Sequence, residues 1–391
     1  MSKKVPLTAS SQNSLLGEKK LKGMRNFDAI VVGGGLVGVS IAYGLLKQRL
    51  SVLILDEGDI AFRASRGNFG LIWVQSKGVK MPSYAAWTRR SSDLWADFAE
   101  QLTEETGVTL HYSRKGGYHF CLSEQEFNER STLMARLAFV TSGAFEYEML
   151  SHNELRYRFP ELGPSVFGAS YCPHDGHVGS LQLLMSMHRA FHDAEGSYLA
   201  NASVSDLKKS GNSFEVRTRD GEVFSAARVV LAAGNGTKEL APMVGLSAPV
   251  RPQKGQVMVT AKQKPFLDVP TALLRQTGEG SLLIGDSKEE TGFDDMTTPE
   301  VMRDLAARAV ATFPHLAQVR AVRTWGALRV MTPDGHPIYA QSREAPGAYV
   351  ACMHSGVTLA AAHAGPLAEA IAAGTLPENL SSFSPDRFDV H

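Results

Sequence analysis

The chain of 391 residues is longer than one hydrophobic core usually supports, so two domains, or one domain with a large insertion, are expected. Lysine plus arginine and aspartate plus glutamate number 40 each, and 43% of residues are hydrophobic, which excludes an electrostatic bias toward nucleic acid or anionic membranes and favours a small-molecule ligand. Three widely spaced cysteines, Cys121, Cys172 and Cys352, argue against a disulfide framework and a cysteine-ligated metal cluster, and fit a reducing compartment.

Residues 1–26 are expected to form a flexible tail. They are polar and rich in lysine, with no apolar run long enough for a signal peptide or a membrane span. A start at Met24 and docking of the tail on a partner subunit are both open alternatives.

The first patterned stretch is "DAIVVGGGLVGVSIAYGLL". The apolar run from Ala29 to Val32 predicts a buried parallel strand, and residues 39–48 predict a helix. Between them, Gly33, Gly35 and Gly38 form GxGxxG, which permits a tight turn, close approach of a pyrophosphate and close packing of the helix. The stretch therefore predicts a dinucleotide site at a helix N-terminus.

A second apolar strand, "SVLILDEGD", ends at Asp56, eighteen residues after Gly38. An acid at that distance is placed to accept hydrogen bonds from an adenosine ribose with both hydroxyls free. It argues against NADP more strongly than it separates FAD from NAD.

The segment "AFRASRGNFGLIWVQSKG" follows directly. Its small and polar residues predict a loop that approaches a flat ring, with donors supplied by Ser65, Arg66, Gly67 and Asn68. A plain surface turn is the alternative, although the neighbouring aromatic and aliphatic residues favour burial.

Further along the chain, helices are predicted from Ser83 to Thr106, from Ser180, with that serine as N-cap, and from Thr298-Pro299. A hairpin is predicted at Asp220-Gly221, followed by a buried strand that ends near Gly234.

Two histidines, His174 and His177, flank the "DG" at Asp175 and Gly176. No third ligand stands at suitable spacing, so surface or turn histidines are expected and no metal site is predicted.

Four separated motifs carry a resemblance to a known family. They are the glycine turn with "LILDEGD", the "RASRGNFG" loop, "VVLAAGNGT" at 229–237, and the terminal pair "WGALRVMTPDGHPIY" and "YVACMHSGVTLAAAHAGPLAEAI". The chain resembles the FAD-dependent D-amino-acid oxidase and glycine oxidase superfamily from residue 27 onward. It looks most like the FAD subunits of opine (octopine and nopaline type) oxidases and D-hydroxyproline dehydrogenases.

The resemblance implies an α/β fold with two domains. A discontinuous, Rossmann-like FAD-binding domain of the glutathione-reductase type is expected from residues 27–76, 172–248 and 331–391. A β-sheet-rich α+β substrate-binding domain is expected from residues 77–171 and 249–330.

The resemblance also implies the residues of an FAD site. Beside the glycine turn and the loop at 65–68, it adds backbone contacts at Val204, Ala233 and Gly234, although alanine replaces the family's threonine at 233. The helix that opens at Gly356 would turn its positive end toward the flavin. The complete cofactor set implied is Gly33, Gly35, Leu36, Val37, Gly38, Asp56, Glu57, Ser65, Arg66, Gly67, Asn68, Val204, Ala233, Gly234, Arg329, Ser355, Gly356, Val357 and Thr358.

Catalysis is expected from Arg329 and His354. Arg329 matches the family's carboxylate-binding arginine, whose planar fork binds a carboxylate with two hydrogen bonds; an internal salt bridge is the alternative. His354 either shapes its loop by hydrogen bonding or acts directly in proton removal or flavin contact. Lys254 and Gln256 lie on a strand that lines the substrate cavity in this family, with a structural salt bridge as the alternative.

The resulting hypothesis is an FAD-dependent oxidation of the C–N bond of a small carboxylated amine, of opine, D-amino-acid or D-hydroxyproline type, by hydride transfer to flavin N5. Electrons would pass to partner subunits in a hetero-oligomer, and homo-oligomers are also open. One alternative is a self-sufficient glycine or D-amino-acid oxidase that makes hydrogen peroxide, and another is a non-catalytic flavin-binding assembly subunit. The chain is expected in the cytoplasm, with peripheral attachment to a membrane left open.

Overall fold

The computed structural model describes residues 26–58 and 64–388. Its strands are β1 Asn26–Val32, β2 Val52–Leu55, β3 Leu71–Ile72, β4 Gly117–Cys121, β5 Glu148–Ser151, β6 Gly168–Cys172, β7 Gly176–His177, β8 Ser197–Leu199, β9 Val204–Ser210, β10 Ser213–Thr218, β11 Val223–Leu231, β12 Arg251–Thr260, β13 Leu274–Gln276, β14 Leu282–Ile284, β15 Ala321–Met331, β16 Ile338–Gln341 and β17 Ala348–Cys352. Its α-helices are α1 Leu36–Lys47, α2 Ala64–Gly67, α3 Pro82–Thr106, α4 Glu124–Val140, α5 His152–Arg158, α6 Ser180–Asp193, α7 Thr237–Leu240, α8 Pro299–Thr312, α9 Gly356–Ala362 and α10 Ala368–Ala373. The tail predicted for 1–26 lies, apart from Asn26, outside the described residues.

The largest sheet has the strand order β16-β17-β11-β1-β2-β8. Strands β17, β11, β1, β2 and β8 are parallel, β16 is antiparallel to β17, and the β9–β10 hairpin extends antiparallel from β11. Alternate side chains of β1 enter opposite cores: Ala29 and Val31 lie on one face, and Ile30 and Val32 on the other. A strand that is buried on both faces needs a continuous apolar run, which explains its sequence and confirms the predicted parallel strand.

Helices cover one face of this sheet. Side chains of α1, α3, α6, α9 and α10 share a core with β1 and β2, and Trp95 of α3 is fully buried there. Gly44 of α1 touches the turn between α9 and α10, where a Cβ would overlap the carbonyl oxygen of Ala364. This close crossing fixes the C-terminal helices against the first helix.

A second layer is formed by smaller antiparallel sheets. One has the order β13-β14-β12-β15 and another has the order β4-β6-β5, and the two share a core with α8. Aromatic rings dominate this core, among them Tyr118, Phe120, Phe159 and Phe313, which meet edge to face or stacked. These sheets are built from residues 117–172 and 251–331, and the domain boundaries given above stay a prediction.

Several local predictions can be compared directly. The hairpin at Asp220-Gly221 joins β10 to β11 as predicted, and α8 begins at Pro299 after Thr298. The prediction for Ser180 was wrong, because the N-cap of α6 is Gly179 and no side chain caps that helix. The C-terminal helix is interrupted by a π-helical turn, His363–Leu367, that contains Pro366.

Candidate active site

A cavity of about 1020 Å³ lies where the carboxyl ends of β1, β2 and β11 meet the sheet of β12 and β15. Such a position, beyond the carboxyl ends of parallel strands, is where ligands bind in open α/β sheets. The cavity brings together almost all the predicted site residues, although they are spread over the chain. Those that line it are Gly33, Gly35, Leu36, Val37, Asp56, Glu57, Ser65, Gly67, Asn68, Val204, Ala233, Gly234, Arg329, His354, Ser355, Gly356, Val357 and Thr358. Gly38 and Arg66 are outside the lining.

The glycine turn forms one end of the cavity. Gly33 has a φ of +107°, and a Cβ on Gly38 would overlap the carbonyl oxygen of Gly33, so the turn excludes side chains at both positions. Gly35 is the N-cap of α1 and offers no side chain, which leaves backbone N–H groups of the first helical turn for a ligand. This arrangement fits the pyrophosphate of a dinucleotide such as FAD.

Asp56 stands beside this turn at the end of β2. One carboxylate oxygen accepts the Gly34 N–H at 2.6 Å, and the other accepts the Gly58 N–H at 3.0 Å. These bonds hold the carboxylate at the cavity wall, and each oxygen keeps lone-pair capacity for a further donor. Binding of a ribose hydroxyl by Asp56 therefore stays a prediction that the geometry allows.

The loop at 65–70 packs over the glycine turn. The Ser65 hydroxyl accepts the Leu36 N–H at 2.9 Å, and the Asn68 side chain bonds within the loop to the Ser65 carbonyl and the Gly70 N–H. The sequence interpretation treated Ser65 and Asn68 as donors to the ligand. In the structure both side chains hold the loop and the start of α1 in place, and their donation to a ligand stays a prediction.

Gly67 makes a second contact of this loop. A Cβ there would overlap the Ala327 side chain of β15, and the Gly67 carbonyl accepts the indole N–H of Trp325 at 3.1 Å. The glycine therefore lets the loop lie flat on β15, the strand that carries Arg329.

Arg329 faces the cavity from β15. Its Nη1 donates to the carbonyl oxygens of Ser287 at 2.8 Å and Lys254 at 3.4 Å. Within the described part of the chain no carboxylate lies at ion-pair distance from it, which argues against the salt-bridge alternative. Burial lowers the pKa of this guanidinium, and nearby Asp286 and Glu289 partly oppose that change. An arginine that bonds only to carbonyl oxygens retains the capacity to bind an anionic ligand.

The neighbouring strand β12 alternates between two faces. Gln253, Gly255 and Val257 line the cavity, whereas Lys254 points away and pairs with Asp294 at 2.8 Å. Gln256 also points away and bonds to Glu289 and Thr298. The strand therefore lines the cavity as the resemblance implied, but Lys254 and Gln256 do not, and of the two alternatives the structural salt bridge is correct for Lys254. A strand exposes only every second side chain to one face, and the sequence does not say which face is the cavity.

The C-terminal loop at 353–358 also lines the cavity. His354 receives a hydrogen bond from Lys77 Nζ at 3.1 Å, and the Ser355 hydroxyl lies 2.8 Å from the same nitrogen. Burial, with the charges of Lys77 and Arg329, holds the pKa of His354 well below its usual value, so its imidazole is neutral. This supports the interpretation that His354 shapes the loop by hydrogen bonding. A direct role in proton removal stays a prediction.

Thr358, in the first turn of α9, connects that helix by hydrogen bonds to residues 71–73, which follow the loop at 65–70. Its hydroxyl accepts the Trp73 N–H at 3.1 Å and lies 3.3 Å from the Leu71 carbonyl. No side chain caps α9, and contact of Thr358 with the cofactor stays a prediction.

Lys77 was missed by the sequence interpretation. It lines the cavity beside His354, although 277 residues separate the two in the chain. The sequence feature that could have indicated it is a lysine between the small residues Ser76 and Gly78. In the structure these two neighbours have positive φ angles of 77° and 78°. A non-glycine residue in the left-handed region next to a cavity is a mark of a constrained, functional loop.

The histidines of "PHDGHVGS" were predicted at the surface or in a turn; this is confirmed for His174, which lies in a turn, and wrong for His177, which lies in β7. His174 is 7% exposed and His177 is 8% exposed. His174 contacts the guanidinium of Arg89 at 2.7 Å, and His177 pairs with Ser113 across a β-bridge. Among the residues placed by the structure, no three potential ligands gather as a metal site would require.

Comparison with known proteins identifies the family. The family model described as FAD dependent oxidoreductase matches residues 28–370. The chain belongs to this family of FAD-dependent oxidoreductases. It is therefore an FAD-dependent oxidoreductase. The assignment of the FAD site to the glycine turn and the surrounding loops stays a prediction.

Individual relatives agree with this assignment. The chain is 41% identical over 368 residues to an opine oxidase subunit from Rhizobium meliloti, covering 94% of this chain and 99% of that protein. It is 28% identical over 344 residues to the glycine oxidase of Geobacillus kaustophilus, covering 85% of this chain and 90% of that protein. The crystal structure of the Geobacillus kaustophilus glycine oxidase superposes with a TM-score of 0.84 at 25% identity, covering 92% of this chain and 98% of the other. These findings confirm the predicted fold class, family and cofactor.

No helix in the described ranges, 26–58 and 64–388, has both the length and the apolar character needed to cross a lipid bilayer.

Proposed function

We propose that this chain oxidises the C–N bond of a small carboxylated amine of opine, D-amino-acid or D-hydroxyproline type. The observation that carries the proposal is Arg329, a guanidinium held in the FAD cavity by carbonyl oxygens and without a carboxylate at ion-pair distance in the described residues. A partly buried cation of this kind is stabilised by an anionic partner, and a substrate carboxylate supplies one with matching planar geometry.

The protein's part in the reaction is mainly positioning. Arg329 fixes the substrate carboxylate, while the loops at 65–70 and 353–358 form the walls of the cavity on either side. Holding a reacting carbon close to its acceptor in the correct orientation lowers the barrier because translational and rotational freedom is already lost on binding. FAD, when bound, supplies the acceptor for the hydride at its N5 position. The oxidised product would be an imine, which hydrolyses to a carbonyl compound and an amine, or stays cyclic for a proline analogue.

The part of the cavity around Arg329 is lined by positively charged side chains. Lys77 and Lys288 line the same region, opposed by Asp286, which lies 3.8 Å from Lys288. This balance supports a substrate that carries at least one carboxylate. The side chain of the amine is a separate question, which a substrate screen answers.

For the electron acceptor, we propose partner subunits with their own redox groups. Support comes from the relative that is 41% identical, which is named as one subunit of an opine oxidase. The chain has three cysteines, all buried and unpaired, so it cannot itself supply four thiolates to an iron–sulfur cluster. The similarity to glycine oxidase favours a second candidate, an oxidase that reduces oxygen directly. Comparison of hydrogen peroxide yield with reduction of an artificial dye separates the two.

The test of the proposed function is anaerobic mixing of the purified flavoprotein with opines, D-amino acids, hydroxyproline isomers and sarcosine, monitored by bleaching of the flavin absorbance. Arg329→Ala should lower the apparent second-order rate constant for flavin reduction by about 10²-fold or more, since a charge-assisted hydrogen-bonded pair is lost. Arg323→Ala is the matched control, because Arg323 lies on the same strand but is exposed. A flavin that stays oxidised with every amine would instead support the non-catalytic assembly subunit.

A further inference from the structure

Lys77 is a charged side chain of the cavity that positioning by Arg329 does not use. Its Nζ lies 3.1 Å from Nε2 of His354 and 2.8 Å from the hydroxyl of Ser355. The Tyr84 hydroxyl lies 2.7 Å from the same serine oxygen, and the Tyr84 ring is 5.8 Å from the Lys77 nitrogen. The amine is therefore held at two points by side chains that can accept its hydrogens.

A buried polar network holds the loop that carries Lys77 through hydrogen bonds to residues 74–76. Asp175 is fully buried, and its carboxylate accepts the Val74 N–H at 2.5 Å and the Gln75 N–H at 3.2 Å. The guanidinium of Arg130 bonds to Gln75 and, at 2.5 Å, to the hydroxyl of Ser76. Such a network holds the left-handed backbone at Ser76 and fixes the direction in which the next side chain points.

Charged groups surround Lys77 from every element packed against it. Its strongest interactions are with Lys288 and Arg329, which repel it, and with Asp175 and Asp286, which attract it. His336 is a further neighbour, whose own pKa is lowered by burial and by the charge of Lys77 among others. Burial is the largest effect, followed by the two like charges, and together they lower the pKa of Lys77 to about 8. A substantial fraction of the amine is therefore neutral in mildly alkaline solution.

A neutral lysine in this setting has its lone pair directed away from its two anchors. His354 is neutral and can accept one N–H through Nε2, and the Ser355 hydroxyl can accept the other. An amine with both hydrogens so engaged has its lone pair left over for a further donor, and Lys77 lines the cavity.

We propose that Lys77 is a further catalytic residue, the base that removes a proton from the substrate ammonium group before the C–N bond is oxidised. One N–H bond of the ammonium breaks, its electron pair stays on the substrate nitrogen, and the proton forms a new N–H bond on Lys77. The substrate becomes a neutral amine and Lys77 an ammonium ion, so charge is conserved and no electrons are transferred in this step. The inference rests on the proposed function, since it needs an amine substrate.

Carboxylate binding at Arg329 would strengthen this base. The guanidinium charge disfavours protonation of Lys77, and a bound carboxylate neutralises that charge. The proton affinity of Lys77 therefore rises when the substrate binds, and the substrate ammonium group is then the nearby proton donor. Binding and deprotonation are coupled in this way without any movement of the backbone.

The first test measures anaerobic flavin reduction as a function of pH. In the wild type, the apparent second-order rate constant should fall tenfold per pH unit below about pH 8, at the same pH for substrates whose amine pKa values differ. Lys77→Met should lower the rate by about 10²- to 10⁴-fold, the range for loss of a general base. Lys80→Met, on the same loop but exposed, should leave the rate unchanged.

Lys77→Arg separates a base from an anchor for anions. Arginine keeps the positive charge but cannot accept the proton, so substrate affinity should survive while the reaction follows the pKa of the substrate amine. Small primary amines added to Lys77→Ala should restore part of the rate. Wild-type kinetics in Lys77→Arg, or a wild-type profile that follows the pKa of each substrate, would overturn the proposal.

A measurement independent of turnover completes the test and needs no variant that could fail to fold. Modification of Lys77 by a small acylating reagent, quantified by mass spectrometry, should rise through a pKa of about 8. An ordinary pKa for Lys77 would refute the proposal while leaving the proposed function intact. Wild-type flavin that no amine reduces would refute the proposed function, and this inference with it.

Discussion

Gly255 of β12 lies directly against the guanidinium of Arg329, which makes it a sensitive probe of the proposed carboxylate site. A Cβ added there would stand 2.6 Å from Cζ and 2.7 Å from Nη2 of Arg329. Normal contact between such atoms begins near 3.5 Å, so Gly255→Ala should displace the guanidinium by about 1 Å. Gly255 has no positive φ, and the conflict is with a flexible side chain tip, so the strand itself can accept alanine.

The expected result is a loss of activity without a loss of stability. A misplacement of about 1 Å at a positioning group costs about 10²-fold in rate, and kcat/KM for flavin reduction should fall by about that factor. Alanine is favoured over glycine within a strand by about 0.5–1 kcal/mol, so Tm should not decrease.

The matched control is the double variant Gly255→Ala with Arg329→Ala. If the alanine acts only through the guanidinium, the double variant should be no slower than Arg329→Ala alone. The reasoning is refuted if the two losses multiply, or if Gly255→Ala retains wild-type kcat/KM in stopped-flow reduction.

Three further results are expected. Gly38→Ala should lower Tm, with a cost of about 1–3 kcal/mol or more, because the added Cβ meets the backbone oxygen of Gly33, whereas Gly35→Ala meets only the Ser65 hydroxyl and should remain folded. Asp56→Ala should weaken FAD binding about 10- to 100-fold in fluorescence titrations, since a charged hydrogen-bond acceptor is removed. Burial raises the pKa of Asp175 from 3.8 to about 6, so the folded state binds this proton more tightly and the resulting stabilisation is lost as the pH rises through 6. Wild-type Tm, measured relative to that of Asp175→Asn, should therefore fall between pH 4 and about pH 7.

The cofactor half of the site could be predicted from the sequence because its determinants are local. A strand, three glycines and a helix follow one another within a few residues. Each glycine is required because its immediate neighbours lie too close for a side chain or need a tight turn. Gly38 shows this directly, since the atom that excludes its side chain belongs to Gly33 of the same turn.

The substrate half depends on contacts between distant segments, and local patterns do not supply them. Lys77 meets His354 and Ser355 across more than 270 residues of the chain, and Tyr84 of α3 packs beside it. Asp175 received no structural role from the sequence, whereas it is a buried acceptor of backbone N–H groups in the loop of Lys77. The sequence predicts that side chains of β12 alternate between two faces. It does not predict whether Lys254 or Gly255 faces the cavity, because that depends on the position of the neighbouring strand.

The segment from residue 64 to 78 connects the two halves physically. It begins with the Ser65 hydroxyl at the start of α1, passes Gly67 against the Trp325 indole on the strand of Arg329, and ends with Lys77 at the Ser355 hydroxyl. A single stretch of chain thus contacts the predicted FAD site and the strand of the proposed carboxylate anchor, and it carries the proposed base. Its glycines and internal hydrogen bonds help to set the distances among these three groups.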